Sequence, residues 1–154
     1  MKAVIQRVES AIVTVEGMET GSCKNGFLVL VGAAQGDTAE DALILAKKTV
    51  NLRVFSDESG KMNKSIADID GEILAVSQFT LCADVKKGNR PSFTDALEPD
   101  KAKELYEIYC GELKKLGVKK VATGIFGADM KVLLVNDGPV TIIFDTVIWR
   151  KNGN

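Results

Sequence analysis

Lys131-Val132-Leu133-Leu134-Val135-Asn136-Asp137-Gly138-Pro139-Val140-Thr141-Ile142-Ile143-Phe144 places four turn-forming residues between two apolar runs. Both runs are rich in β-branched side chains and read as buried strands. Asn, Asp, Gly and Pro all favour turns, so the interruption taken alone reads as a hairpin connection. Proline also lacks the backbone donor that a ladder needs and belongs at a strand edge or turn, which lets Gly138 and Pro139 present backbone carbonyls as ligands. The bond before a proline reaches the cis form for about 0.5–1 kcal/mol, against roughly 2.5–4 kcal/mol for other residues. A cis bond would turn both carbonyls the same way. Hairpin turn and carbonyl-presenting element are separated only by what the rest of the chain holds.

Working outward, Gly124-Ile125-Phe126-Gly127-Ala128-Asp129-Met130 pairs glycines with small and flexible apolar residues, as a pocket wall or strand bend does. Strands are expected over Val118 to Ile125, Met130 to Asn136 and Pro139 to Trp149 at the end of the chain. Others are expected over Ala3 to Val8, Ala11 to Val15 and Gly26 to Val31 at its start, and over Glu72 to Val76 in the middle. Asp37-Thr38-Ala39-Glu40 has capping-box spacing and predicts a helix to about Arg53, with Ala42, Leu45, Ala46, Thr49 and Val50 on one face. A second helix is predicted from about Asp100 to Leu116, closed by Gly117. Its stripe of Ala102, Leu105, Tyr106, Tyr109, Leu113 and Leu116 is what covering a sheet requires, and is assigned to the core rather than to chemistry. The order of elements predicts an α+β domain with β/β/α layering: largely antiparallel, barrel-like sheets with two helices packed on one side.

The 154 residues fit one domain, 1–154, long enough to bury about two-thirds of the surface exposed by the unfolded chain. No signal peptide or membrane span is legible, and a cytoplasmic protein is expected. Cys23, Cys82 and Cys110 are odd in number and widely spaced, which suits reduced thiols rather than a disulfide framework or a zinc site. Asp68, Asp70 and Glu72 match no calcium-loop spacing, so neither metal nor other cofactor is expected. Histidine is absent, which removes the commonest general base and every Ser-His or Cys-His pair. With a net charge of −1, any site for a polyanion must be local.

Two groups of residues could carry chemistry. Ser77-Gln78-Phe79-Thr80 places hydroxyls, an amide and an aromatic where a strand meets a loop. Thr80 is the candidate nucleophile, although without histidine its activator would have to be a lysine, a carboxylate or the substrate. The alternatives are that these side chains satisfy backbone groups, or that the N–H groups of Phe79 and Thr80 form an oxyanion hole. Lys86-Lys87-Gly88-Asn89-Arg90 sets three cations in a Gly-containing loop, either a clamp for phosphates or a solvated charged loop; Phe93 alone does not make a stacking platform. Arg7, among Val4, Ile5 and Val8, must face water or be held by carbonyls or carboxylates, and in the second case could brace a polar backbone element.

Ser77-Gln78-Phe79-Thr80-Leu81 and Asn136-Asp137-Gly138-Pro139-Val140-Thr141, with Gln6-Arg7-Val8 and Lys87-Gly88-Asn89-Arg90-Pro91-Ser92-Phe93, together resemble the D-aminoacyl-tRNA deacylase family over the whole chain. One departure is Cys82, which stands where an aromatic is expected after the Ser-Gln-Phe-Thr-Leu motif. The resemblance implies a cytoplasmic homodimer that hydrolyses the ester between the tRNA 3′ end and a D-amino acid, or glycine, including glycine mischarged on tRNA-Ala. It implies that Ser77, Gln78, Phe79 and Thr80 form the catalytic pocket floor, and that a cis Gly138-Pro139 peptide enters the partner subunit's pocket as a chiral gate. It also implies that Arg7 braces that motif and that Met130 lies beside the site. Lys86, Lys87 and Arg90 are the expected tRNA contacts. A 2′-hydroxyl on the terminal ribose would supply the assistance that a histidine-free chain lacks.

Overall fold

A computed structural model describes residues 1–151. In chain order the elements are β1 (Lys2–Val15), β2 (Met18–Cys23), β3 (Gly26–Gly32), α1 (Ala39–Val50), β4 (Phe55–Ser56), β5 (Met62–Lys64), β6 (Glu72–Ser77), α2 (Pro99–Lys115), β7 (Lys120–Thr123) and β8 (Lys131–Asp145). Strands β2, β1, β3, β6 and β7 lie side by side, β8 pairs with the opposite edge of β1, and β4 and β5 make a small separate ribbon. The pairings of β1 with β2, β3 and β8 are antiparallel, whereas β3 with β6 and β6 with β7 are parallel. At Gly21 an added Cβ would lie 2.3 Å from the carbonyl oxygen of Thr123, so only glycine lets β2 come this close to β7 and nearly close the sheet into a barrel.

The spine is β1. Its buried positions Ala3, Ile5, Val8, Ala11 and Val13 alternate by two except at Ile5 to Val8 and Val8 to Ala11, where the step is three. Those steps fall at the two register shifts against β8, where Arg7 and Glu9 have no partner on β8 and the strand's facing flips. Strand β3 is buried on both faces. Phe27, Val29 and Val31 join the core under the helices, and Leu28 joins Val8, Val13, Leu74 and Val76 inside the barrel. Both helices lay their apolar faces on the first of these cores, which is the expected α+β layering.

Helix α2 starts on Glu98, whose carboxylate accepts from the N–H groups of Asp100 and Lys101, and has Pro99 in its first turn. It ends in a Schellman pair: Gly117 N–H donates to Lys114 O and Val118 N–H to Leu113 O. The predicted stripe is buried except at Leu116, which stays partly exposed beyond the last turn. Helix α1 is capped one residue later than the spacing predicted, because Asp41, not Glu40, reaches back to the N–H of Thr38 at 2.9 Å.

The carboxylate of Asp41 also receives Arg150 Nε at 2.9 Å, while Asp37 pairs with the same guanidinium and with the Met1 ammonium at 2.7 Å. Burial works to raise the Asp41 pKa, but hydrogen bonds from Arg150, Thr146 and the Thr38 backbone outweigh it and hold the value at about 2. The folded value lies below the unfolded value of about 3.9, so this stabilisation is present above about pH 4 and is lost as pH falls through about 2. Thermal unfolding across that window should show a falling midpoint, and Asp41→Asn should flatten the fall.

The segment 131–144 is not a hairpin. Strand β8 runs in one direction against β1, from Lys131 opposite Thr14 to Asp145 opposite Lys2. Between Asn136 opposite Val8 and Thr141 opposite Gln6 it carries four residues, Asp137 to Val140, where β1 has only Arg7. The turn-forming residues are absorbed as a bulge, since β1 holds the chain on both sides of them. Nor is β8 buried on both faces: Val132, Leu134, Ile142 and Phe144 pack inward, whereas Leu133, Val135 and Ile143 point out. The strand ends at Asp145 rather than Trp149, with Thr146–Trp149 forming a 3-10 turn. No helix among the described residues is long and apolar enough to cross a membrane.

Candidate functional site

Where β6 ends, a cleft of about 300 Å³ opens between the end of β3, the Ser77–Phe79 segment, α2 and the Phe126–Met130 loop. Ser77 is the last residue of β6 and lies opposite Val31 in the parallel pair with β3. Gln78 continues the pairing with an N–H donated to Val31 O at 2.7 Å, after which the chain coils into the 3-10 turn Phe79–Cys82. An added Cβ at Gly32 would lie 2.7 Å from Gln78 O, so β3 can run this close to the cleft floor only with a glycine there. The first N–H groups of such a turn have no partner within it, and among the described residues neither Phe79 nor Thr80 donates its N–H elsewhere. The Phe79 N–H stands at the cleft lining and the Thr80 N–H follows it in the turn just outside, an adjacent pair of donors suited to a developing oxyanion.

Ser77, Gln78, Phe79 and Met130 all line the cleft; Thr80 does not. The Thr80 side chain is exposed, and its hydroxyl accepts from Gln78 Nε2 at 2.5 Å. No lysine or carboxylate among the described residues reaches that hydroxyl, so nothing there activates it as a nucleophile. The single carboxylate at the rim, Asp129, is exposed and faces Lys131 Nζ at 3.4 Å. The far wall is Tyr106, which donates its phenolic O–H to Ala75 O at 2.7 Å. Burial pushes this phenol well above its usual range, so it remains a protonated, engaged donor. Assigning the α2 stripe wholly to the core therefore missed that Ala102 and Tyr106 face both ways. Periodicity cannot distinguish a core position under the sheet's middle from one under its end. The loop flagged as a pocket wall contributes Phe126 to Met130, with Phe126 packed 6.0 Å from the Tyr106 ring.

Arg7 faces neither solvent nor the cleft. Its side chain is 12% exposed, its Nε donates to Asp137 O at 3.0 Å and lies 3.3 Å from Asp137 Oδ2, and its Nη1 donates to Val54 O at 2.6 Å. A guanidinium with fixed, divergent donors thus ties the bulge of β8 to the segment before β4. Gly138 follows with φ of +132°, and an added Cβ would meet Val140 at 2.9 Å and Arg7 Nη2 at 3.3 Å. The Gly138-Pro139 peptide is cis. Both residues are exposed and neither lines the cleft of its own chain.

Lys86, Lys87 and Arg90 stand on an exposed loop whose neck is closed by Asp84 N–H to Ser92 O at 2.8 Å and Ser92 N–H to Asp84 O at 2.9 Å. None of the three is in an ion pair among the described residues. Cys23, Cys82 and Cys110 are free and buried.

Residues 4–145 match the family model described as D-Tyr-tRNA(Tyr) deacylase. A protein of Geotalea uraniireducens (strain Rf4) named D-aminoacyl-tRNA deacylase is 56% identical over 153 residues, covering 99% of this chain and 98% of its own. One of the same name from Roseiflexus sp. (strain RS-1) is 53% identical over 154 residues, 100% of this chain and 99% of its own. Among solved structures, one described as a c-Myc DNA unwinding element binding protein superposes with a TM-score of 0.89 at 44% identity, covering 94% of this chain and 98% of that one. Another, of a probable eukaryotic D-amino acid tRNA deacylase, shares the fold with a TM-score of 0.77 at 16% identity, covering 93% and 97%.

Proposed function

Because the chain belongs to the D-Tyr-tRNA(Tyr) deacylase family, we propose that it hydrolyses D-aminoacyl-tRNA in the cytoplasm, as a homodimer, with the tRNA 3′ end as its partner. The family match over residues 4–145 carries this reading. The ester carbonyl sits over the cleft floor, the N–H groups of Phe79 and Thr80 receive the oxyanion, and Ser77 and Gln78 shape the floor beneath it. The cleft has no inward-facing base among the described residues, so the ribose 2′-hydroxyl assists attack on the neighbouring ester, with the protein supplying position.

Selection by chirality is assigned to Gly138 and Pro139, which stand exposed on β8 and enter the cleft of a second copy. Their carbonyls meet the substrate's amino group, and the backbone wall leaves no space for an L side chain. A clash or lost contact of about 4 kcal/mol gives roughly thousandfold rejection. A wall that excludes on one side does not require a side chain on the other, so glycine, including glycine mischarged on tRNA-Ala, is accepted.

The test uses purified protein with D-Tyr-tRNA, L-Tyr-tRNA and a D-Tyr ester on the 3′-oxygen of a tRNA ending in 2′-deoxyadenosine. The D substrate should be cleared, the L substrate spared, and the 2′-deoxy ester slowed by a hundredfold or more, an assistance of about 3 kcal/mol. Undiminished hydrolysis of the deoxy ester would remove RNA assistance. Thr80→Ala should keep its single-turnover rate within threefold, whereas a trapped acyl-enzyme would make Thr80 the nucleophile. A second reading, a non-catalytic nucleic-acid-binding module working through Lys86, Lys87 and Arg90, draws on the name of the 44%-identical structure. Clearance of D-Tyr-tRNA would exclude it.

A further inference from the structure

Strand β7 ends at Thr123, and the chain then folds back on itself: Ala128 N–H donates to Ile125 O at 3.2 Å, with Gly127 at a φ of +78° inside the turn. The turn returns Met130 against Gly124. An added Cβ at Gly124 would lie 2.5 Å from Met130 Sδ, while its next neighbours, the two methyl carbons of Val13, stand at 3.6 and 3.7 Å. The thioether alone fills that space. Gly124 is not among the glycines with positive φ, so a methyl group there is opposed by Met130 and not by the backbone. Met130 itself faces two ways, packing against the core inside the barrel and lining the cleft. An unbranched side chain with three rotatable bonds takes its place in a wall from what it leans on. Here it leans on a glycine that does not line the cleft.

We propose that Gly124 is a positioning residue for the reaction: the space left by its missing Cβ seats the Met130 thioether, and so sets how far the Met130 wall stands from the cleft floor at Ser77 to Phe79. The inference rests on the reading of this cleft as the place where the aminoacyl-tRNA ester is held, and adds what fixes one of its walls. Carbon and sulfur in contact sit about 4 Å apart, so a methyl group at position 124 would drive the thioether roughly 1–1.5 Å from its seat. On the barrel side the close-packed core does not yield. The thioether must therefore give way toward the cleft, where there is open volume. A shift of this size narrows the cleft by about one methylene, a change that in a binding pocket is felt as roughly tenfold or more.

The test combines kinetics with a probe of Met130 that does not depend on activity. The chain has four methionines, so labelling with [methyl-13C]methionine gives four methyl signals, and Met130→Ala identifies the one that matters. Gly124→Ala should move that signal by more than the other three. Its KM for D-Tyr-tRNA should rise about tenfold with kcat within about threefold, because crowding a wall weakens binding without moving a reacting group. Made in the Met130→Ala background, the same substitution should change KM by less than about twofold, since the new methyl group then meets only Val13 at ordinary contact distance. An unmoved Met130 signal overturns the proposal. So does a moved signal with KM unchanged, which would leave a packing contact without effect on the reaction, and so does an equal rise in KM in both backgrounds. Should Gly124→Ala fail to fold, Met130→Ala must restore folding for the seat to stand, and no restoration overturns it. If wild type clears no D-Tyr-tRNA, the hydrolase reading falls and takes the reaction role with it, whereas the Met130 signal still decides the seat.

Discussion

Replacing Arg7 with alanine is expected to lower kcat/KM for D-Tyr-tRNA by about a hundredfold or more, corresponding to roughly 3 kcal/mol of lost positioning. Arg7 touches nothing in the cleft, so the loss would come through the element it holds. Its Nε lies 3.0 Å from Asp137 O and 3.3 Å from Asp137 Oδ2, and its Nη1 lies 2.6 Å from Val54 O. Asp137 opens the four-residue bulge in which β8 has no ladder partner, so the guanidinium replaces the cross-strand bonds absent there. Each charge-assisted bond contributes on the order of 1.5–3 kcal/mol, and deleting the side chain leaves acceptors that only water can satisfy. Arg7→Lys should not rescue, because one ammonium cannot serve acceptors approached from two different nitrogens. Activity on D- and L-Tyr-tRNA, with a thermal melt to confirm the fold, provides the readout. Both variants should stay folded, lose activity on the D substrate and lose part of the D/L ratio. Activity within threefold of wild type with that ratio intact would remove the bulge from the mechanism.

The same contact explains where sequence reading stopped. Helices α1 and α2 were legible because their signals are local: capping-box spacing at Asp37 to Glu40, one residue before the Thr38–Asp41 box that forms, an apolar period in each helix, and Gly117 after the second. Asn136 to Pro139 carry equally local signals for a turn, yet they form a bulge because β1, about 130 residues away in sequence, pairs with both flanks. Turn chemistry states what those residues tolerate, and tertiary pairing selects among the tolerated forms. The parallel pairs of β3 with β6 and β6 with β7 had no local marker either. At the site, Ser77 to Thr80 were legible as a group and Met130 came only with the family resemblance; the structure places Ser77, Gln78, Phe79 and Met130 on one cleft and leaves Thr80 outside its lining. Tyr106 was read as core because a stripe position gives the same period whether it lies under the middle or the end of a sheet.

The double substitution Leu133→Asp with Ile143→Asp is expected to yield a folded monomer whose deacylase activity is reduced by more than a hundredfold. Among the described residues strand β8 pairs only with β1, which leaves its other edge unpaired, and its outward side chains include Leu133 at 72% and Ile143 at 76% exposure. Such edges are usually blunted with charge, proline or a bulge; here those features sit at Lys131, Asp145 and the central Asp137–Val140 bulge, and the outward Leu133, Val135 and Ile143 between them are apolar. Fully burying a side chain of this size gains about 1.5–3 kcal/mol, and in an isologous dimer each position counts twice, so two substitutions remove four buried groups and insert four charges. The protomer should tolerate the change, since its packing on this strand comes from Val132, Leu134, Ile142 and Phe144 on the inner face. The consequence for catalysis follows from where the strand carries its bulge. Gly138 and Pro139 stand exposed on the same strand and do not line the Ser77–Phe79 cleft of their own chain, so a monomer would keep the floor at Ser77 to Phe79 and lose the wall. Sedimentation velocity, circular dichroism and turnover of D- and L-Tyr-tRNA distinguish the outcomes. A folded monomer with wild-type kcat/KM and full rejection of L-Tyr-tRNA would show that one chain holds a complete site, and the assignment of the gate to a second copy would fall.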